Sequence, residues 1–458
     1  MPGGHAPEAG ANPFLDLPVG RLFLSNALPM AVVMSMGGVL NVVDGIFVGR
    51  FAGPQALAAV SLAFPAVMGL TALSTLLGGG MSSLFARRLG AGLRTEAGAA
   101  LAGAHGLAAL VSAALLLAVL ASGPRLLPVL SAGNDAVAGL AGEYLLILVL
   151  GAPLQFGLAL HADALRNEGR AGLIALLSVL VNLANIAANW VAIVLLGLGV
   201  AGSALGTVAA QAAGLLLLLA VRARDPRLVP LGALRRSSWL SDWRQILALG
   251  LPLCLGFAGM ALVGATVLVA AGGAGPGAAG QVAAYGVATR LLGFAFLPQM
   301  AIALATQSIT GNNAGAGRMD RAAAALRLAL GFAFLWCLCV TLAGTLAGGR
   351  LGALFTADPG IAAAAGDVLR PMTALQAAAG PILVLAMHFQ AMGHPLRTAA
   401  LTLVKPWLLT PPLILGLSAV LGPSGLWLAF PVADALMLLL AAAIVARSGL
   451  FGPVPAAP

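Results

Sequence analysis

The sequence predicts an all-α integral membrane protein with twelve transmembrane helices in two pseudo-symmetric six-helix bundles around a central cavity. Three observations carry that expectation. Of 458 residues, 60% are hydrophobic and only 8% charged, with a mean hydropathy of +1.03. A water-soluble chain of this length needs far more solvated side chains to cover its surface. The arginines gather on one side of the alternating apolar runs, and a set of short landmarks recurs between the two halves.

In chain order, the apolar runs place spans at 24–49, 57–86, 97–122, 136–162, 170–196, 199–221, 245–272, 279–309, 321–347, 361–391, 397–421 and 425–446. Residues 1–22 are polar and carry Pro2, Pro7, Pro13 and Pro18, without the apolar stretch and small-residue cleavage site of an export signal, so a short cytoplasmic tail is expected. Several spans exceed the roughly 20 residues that cross a bilayer and must tilt or extend beyond it. The 60 glycines let helix backbones approach closely.

With the N-terminus inside, the cytoplasmic segments collect Arg21, Arg87, Arg88, Arg94, Arg166, Arg170 and the run from Arg222 to Arg244, while the outer loops keep Arg50, Arg125 and Arg350. That is the positive-inside pattern, so the net charge of +9 reports topology and nucleic acid is not an expected partner. Cys254, Cys337 and Cys339 lie in apolar runs and are expected as small packing residues, with no metal-ligand spacing.

The charged, proline-bearing stretch 222–244 is expected as a cytoplasmic linker between an N-terminal lobe, 1–221, and a C-terminal lobe, 245–458. Leu28-Pro29 returns as Leu251-Pro252, Gly90-Ala91-Gly92 as Gly315-Ala316-Gly317, and Gly142-Glu143 as Gly366-Asp367, at offsets of 223 to 225 residues. Six spans per copy is an even number, so both copies have the same orientation in the membrane.

LPMAVVMSMGGVLNVVDGIFVGRFAGPQALAAVSLAFP (28–65), LGGGMSSLFARRLGAG (77–92), VNLANIAANWVAIVLLGLGVAGSALGT (181–207) and QVAAYGVATRLLGFAFLPQMAIALATQSITGNNAGAG (281–317) resemble the multidrug and toxic compound extrusion (MATE) transporters, end to end. The resemblance implies a monomeric, cation-coupled antiporter of the bacterial inner membrane. It would export small organic compounds, usually amphipathic cations, by alternating access, driven by H⁺ or less readily Na⁺ and without a cofactor or bound metal. A lipid or lipid-linked oligosaccharide flippase of the wider superfamily is the alternative; the sequence offers few basic residues for such a cavity beyond Arg290. A membrane enzyme is disfavoured, since no paired carboxylates, His-rich metal spacing or nucleophile motif occurs in a polar pocket.

An ionisable side chain within a span needs a reason. Asp44 lies in the first span toward the outer face, where it could carry a proton, ligate Na⁺, or simply bond a neighbouring helix. Asn182, Asn185 and Asn189 share one face of the fifth span, able to hold a carboxylate or a cation, or to act as interhelical glue. The resemblance implies that Asp44, Asn185 and Thr207 match a coupling cluster of one branch of the family, with Asn189 where that branch has an aspartate. A second branch uses a second-lobe glutamate, and Met260 stands there. Asp434 is expected as a pocket carboxylate or a partner for another polar group, and Arg290 to pair with an acid or reach the cavity. Lys405 is expected likewise to pair with an acid or reach the cavity, and lies near enough the cytoplasmic side to snorkel; His161, Asp163 and Glu168 are expected to form a solvated network with Arg166 and Arg170. Phe64, Phe156, Met260 and Phe294 could give substrates an adaptable apolar wall, although each is more commonly a packing residue.

Overall fold

In lipid, a helix satisfies every backbone N–H and C=O within its own segment, and the structure, a computed structural model, is helical in every element among the described residues, 12–272 and 278–450. Among the described residues, eleven helices are long and apolar enough to cross a membrane. The expected tenth span is broken: α12 (Pro359–Thr373) and α13 (Gln376–Ala391) meet at 51°, and counted as one span they make twelve. At the break the Ala374 N–H turns to the Pro371 carbonyl in a tighter three-residue bond and Leu375 leaves helical geometry, at φ −116° and ψ 17°.

The chain divides into two compact units, one of Val32–Leu251 with the residues up to Pro18, the other of Val19–Ala31 with the residues from Pro252 on. The first contains α1 (Pro13–Asp16), most of α2 (Val19–Phe47), α3 (Pro54–Gly90), α4 (Arg94–Leu130), α5 (Asp135–Asn167), α6 (Ala171–Asn189), α7 (Gly199–Arg224), α8 (Gly232–Arg236) and the start of α9 (Trp243–Gly272). Helix α5 packs against α3, α4 and α7, and α6 packs against α7. The second unit holds the remainder of α9, α10 (Ala278–Gly315), α11 (Met319–Gly352), α12, α13, α14 (Pro395–Leu403), α15 (Thr410–Leu421) and α16 (Pro423–Ser448). Helix starts repeat at 224 residues: 19 and 243, 54 and 278, 135 and 359, 171 and 395, 199 and 423. The internal repeat seen in the sequence is therefore a repeat of helices.

Of the stretch 222–244, expected to link the lobes, the ends belong to α7 and α9, and residues 225–242 between them are held against the rest of the first unit. Arg94 donates to the carbonyls of Arg227 at 2.7 Å and Leu228 at 3.0 Å, and Arg88 grips the Asp242 carboxylate through two bonds of 2.6 and 2.8 Å. The carbonyl of Ser241 occupies the space a Cβ on Gly103 would need, so α4 admits the segment only because that position is glycine.

At the C-terminal end of α5, Arg166 and His161 are buried and the Glu168 side chain is only 4% exposed, contrary to the solvated network expected, while Asp163 and Arg170 stay partly exposed. Arg222 forms two bonds to Glu168, 3.0 and 2.8 Å, and the Val229 N–H donates to the same carboxylate at 2.7 Å. Arg166 bonds Asp163 at 2.8 Å and Ser82 at 3.0 Å. Leu228 and Val229 fold over this end of the bundle and are themselves buried, which removes it from water. Burial pushes the Glu168 carboxyl up from its ordinary range, while Arg222 and the Val229 N–H pull it back.

Candidate functional site

Within the first unit, α2, α6 and α7 assemble a continuous chain of polar side chains. Asp44 lies one turn before α2 passes into a π-helical run at Val48–Ala52, and Asn189 is the last residue of α6 before a second π-helical run at Trp190–Leu195. Such wide turns are rare, and they re-aim the side chains around them. Asn189 Nδ2 donates to Asp44 Oδ1 at 2.7 Å and to Asn185 Oδ1 at 3.0 Å. Asn185 Nδ2 donates to Thr207 Oγ1 at 3.2 Å, and the Thr207 hydroxyl donates to the Ser203 carbonyl at 3.1 Å.

The order of donors runs one way. The Thr207 hydrogen is committed to Ser203, so its oxygen can accept from Asn185; Asn185 then offers its carbonyl to Asn189, whose N–H groups end on the carboxylate. The opposite amide orientation would set the Asn189 oxygen against the Asp44 oxygen. Asn189 is fully buried, Asn185 nearly so, and Asp44 half-buried. One acceptor is unused: Asn189 Oδ1 is buried without a hydrogen-bond partner. Asn182 does not join the chain, its amide reaching only Ser178 Oγ of its own helix at 3.5 Å.

Two packing features hold this geometry. A Cβ on Gly206 would collide with Asn189 Oδ1, so the amide fits only against glycine. Trp190 meets Phe47 and Phe51 edge-on, at centroid distances of 6.4 and 5.8 Å, fastening the end of α6 to the end of α2 beside the Asp44–Asn189 bond. Sequence reasoning missed Gly206, the aromatic trio and the π turns. The only available signal was the glycine pair 202 and 206, spaced to lie on one face of α7 with Thr207 alongside.

The MatE family profile matches residues 29–191 and again residues 252–414. The chain belongs to the MatE family. The two matches are offset by 223 residues and the helix starts by 224, so Asp44 corresponds to Val267 or Leu268 and Thr207 to Phe430 or Pro431, apolar residues in either register. Of these, Val267 and Phe430 lie in a buried apolar cluster of the second unit with Trp427, Leu369 and Ile414, so the polar chain belongs to the first repeat alone.

This MatE transporter is 25% identical over 433 residues to a FAD transporter of Shewanella oneidensis, covering 92% of this chain and 93% of that one. Its fold matches a MOP superfamily transporter from Pyrococcus furiosus Vc1 whose reverse polarity of binding pocket is reported to suggest a different function; TM-score is 0.85 at 26% identity over 96% of this chain and 98% of that one. An outward-facing multidrug resistance MATE transporter matches with TM-score 0.84 at 26% identity, over 96% and 98% of the chains.

The remaining candidates of this MatE chain scatter. Phe156 is fully buried in the first unit and packs helices instead of lining a wall, because its position on α5 faces the core. Phe64 and Met260 are exposed, 53% and 59%. Phe294, 45% exposed, meets Phe355 with its ring tilted at 42° and centroids 6.4 Å apart, and borders a cavity of about 250 Å³ with Trp336 and Leu369. Arg290 is exposed and makes no ion pair with any described residue, so the expected pairing is not formed. Asp434 is buried and bonds Lys405, which sits in a π-helical run, Val404–Leu409, so of the alternatives open to these two residues the structure forms the pairing.

Proposed function

We propose that this MatE transporter is a multidrug antiporter that exports amphipathic organic cations by alternating access, coupled to inward movement of H⁺, with Na⁺ the less favoured ion. The single observation behind this is the one-way chain of donors ending on Asp44. A sodium ion needs several oxygens converging on it, and Asn189 turns its N–H groups toward the carboxylate; a carboxylate held by a neutral amide is suited to exchanging a proton. Protonation at Oδ1 displaces the Asn189 bond, and ion and substrate then favour different conformers, as coupling requires. Asn185 and Thr207 position Asn189, and Asp44 carries the ion. We place the protein in the bacterial inner membrane, N-terminus in the cytoplasm, working as a monomer; the arginine asymmetry supports the orientation.

A second reading, export of a phosphate-bearing dinucleotide, is supported by the Shewanella relative and by the unpaired Arg290. One experiment tests both. Proteoliposomes holding wild type or Asp44→Asn are given separate H⁺ and Na⁺ gradients, and transport of a fluorescent organic cation and of FAD is followed. Proton-driven movement of the cation, lost in Asp44→Asn, is the expected result. Full coupling in the variant removes Asp44 from the mechanism, and transport of FAD alone replaces the cation by the dinucleotide.

A further inference from the structure

Outside the polar chain, the first unit carries a second place built for a ligand. A cavity of about 520 Å³ opens where α7 ends, lined by Arg170, Arg224 and Arg227 with a single acid, Asp225, and walled by Leu217 and Val221. This size is ordinary for a small-ligand site. Three guanidinium groups face one carboxylate. Arg170 bonds Asp225, whereas Arg224 and Arg227 are exposed and form no ion pair with any described residue. The cavity therefore holds an excess of positive charge at one end and apolar surface at the other.

Its place along the chain says what it can meet. Leu217 and Val221 lie on the last turns of α7, a helix apolar enough to span the membrane, and Leu216 and Leu217 are 68% and 42% exposed on it. The arginines follow on the side that the charge distribution assigns to the cytoplasm. A basic rim above an exposed apolar helix face, at membrane depth, has the chemistry of an anionic phospholipid: phosphate on the arginines, acyl chain along the helix. The rim is preorganised. Arg94 fixes the carbonyls of Arg227 and Leu228, and the Asp225 carboxylate accepts the Arg227 N–H at 3.0 Å. The negative end of the α7 dipole opposes an anion here and the uncapped start of α6 favours one, so the arginines decide the balance.

We propose that this cavity binds the headgroup of an anionic phospholipid of the inner leaflet, with Arg224 and Arg227 holding the phosphate and Arg170 shared between it and Asp225. Arg170 immediately precedes α6, which carries Asn185 and Asn189, and Asp225 immediately follows α7, which carries Thr207. A bound headgroup that draws Arg170 from Asp225 loosens the tie between those two helix ends.

The test is lipid binding by the full-length protein, read directly and so independent of which ion or substrate is transported. Native mass spectrometry follows titration with phosphatidylglycerol and with phosphatidylcholine, for wild type and for Arg224→Gln/Arg227→Gln. Wild type should bind the anionic lipid about tenfold or more tightly than the zwitterionic one, and the double variant should lose that preference while keeping its melting temperature. Equal binding of the two lipids by wild type overturns the proposal, as does an unchanged preference in the variant. Millimolar inorganic phosphate added to the wild-type complex separates the sources. Phosphate that displaces the lipid completely marks a site for soluble phosphates and refutes the lipid assignment, and retention of the lipid supports it. Should the double variant unfold, Leu217→Glu, which charges only the acyl wall, should weaken phosphatidylglycerol and leave inorganic phosphate unaffected; unchanged lipid binding would refute the site.

Discussion

Asn189 donates a hydrogen bond of 2.7 Å to Asp44, joining two helices that lie 145 residues apart in the chain. Asn189 is fully buried while Asp44 is half-buried, so the amide is the fixed partner, and the acid is the group to which the proposed coupling assigns the exchange.

Removing the fixed partner should therefore damage coupling more than folding. A hydrogen bond to a charged group is worth about 1.5–3 kcal/mol. Asn189→Ala is expected to lower gradient-driven transport roughly tenfold to hundredfold, with substrate binding to the detergent-solubilised protein retained. Equal losses of binding and transport would instead mark Asn189 as part of the substrate pocket.

Gly206→Ala tests the space the amide occupies. The new Cβ falls on Asn189 Oδ1, and neither α6 nor α7 can yield without disturbing close backbone packing at Gly202. Overpacking of this kind costs about 1–3 kcal/mol. A lowered melting temperature accompanied by loss of coupling is expected; Gly206→Ala with wild-type transport would show that Asn189 has another place to go.

The Arg222–Glu168 pair should dominate the stability of the first unit. Both side chains are almost fully buried, at 1% and 4% exposure, and breaking such a pair costs about 3–5 kcal/mol because the survivor is left charged without a partner. Arg222→Met should lower the melting temperature sharply. Pairing it with Glu168→Leu should recover part of the loss, though not the bond to Val229. No recovery in the double variant would mean that the backbone bond carries the effect.

Lys405 and Asp434 should respond unequally. The Asp434 side chain is 5% exposed and Lys405 31%. Lys405→Met strands a buried carboxylate, while Asp434→Asn leaves a lysine able to reach outward on its long stem. The lysine variant should be the less stable in thermal unfolding; the reverse order would show that the carboxylate is solvated independently of its partner.

The spans, their counterparts in the two halves and the arginine asymmetry were legible because bilayer solvation acts on composition, and composition is local. Asp44, Asn185, Asn189 and Thr207 were legible as polar groups in apolar runs, since an intramembrane carboxylate or amide needs a partner wherever it sits. Which partner it takes is not local. Asn182 has the same residue type and helix face as Asn185, yet it bonds only Ser178 of its own helix. Phe156 looked suited to a cavity wall and is core; Glu168 and Arg166 looked solvated and are buried by residues that return from beyond α7.

Hydropathy, charge placement and recurring landmarks are written along one dimension, so the sequence alone makes the chain a membrane-embedded helical repeat and marks Asp44, Asn185, Asn189, Thr207, Lys405 and Asp434 as polar groups in apolar runs. Only the tertiary structure decided that Asn189 faces Asp44, that Gly206 leaves room for it, and that arginines from α7, its following turn and the start of α6 surround one cavity. Those outcomes depend on where helices change pitch, in the π-helical runs Val48–Ala52 and Trp190–Leu195, and on which faces then meet. Backbone register in three dimensions settles both, and residue spacing alone does not specify it.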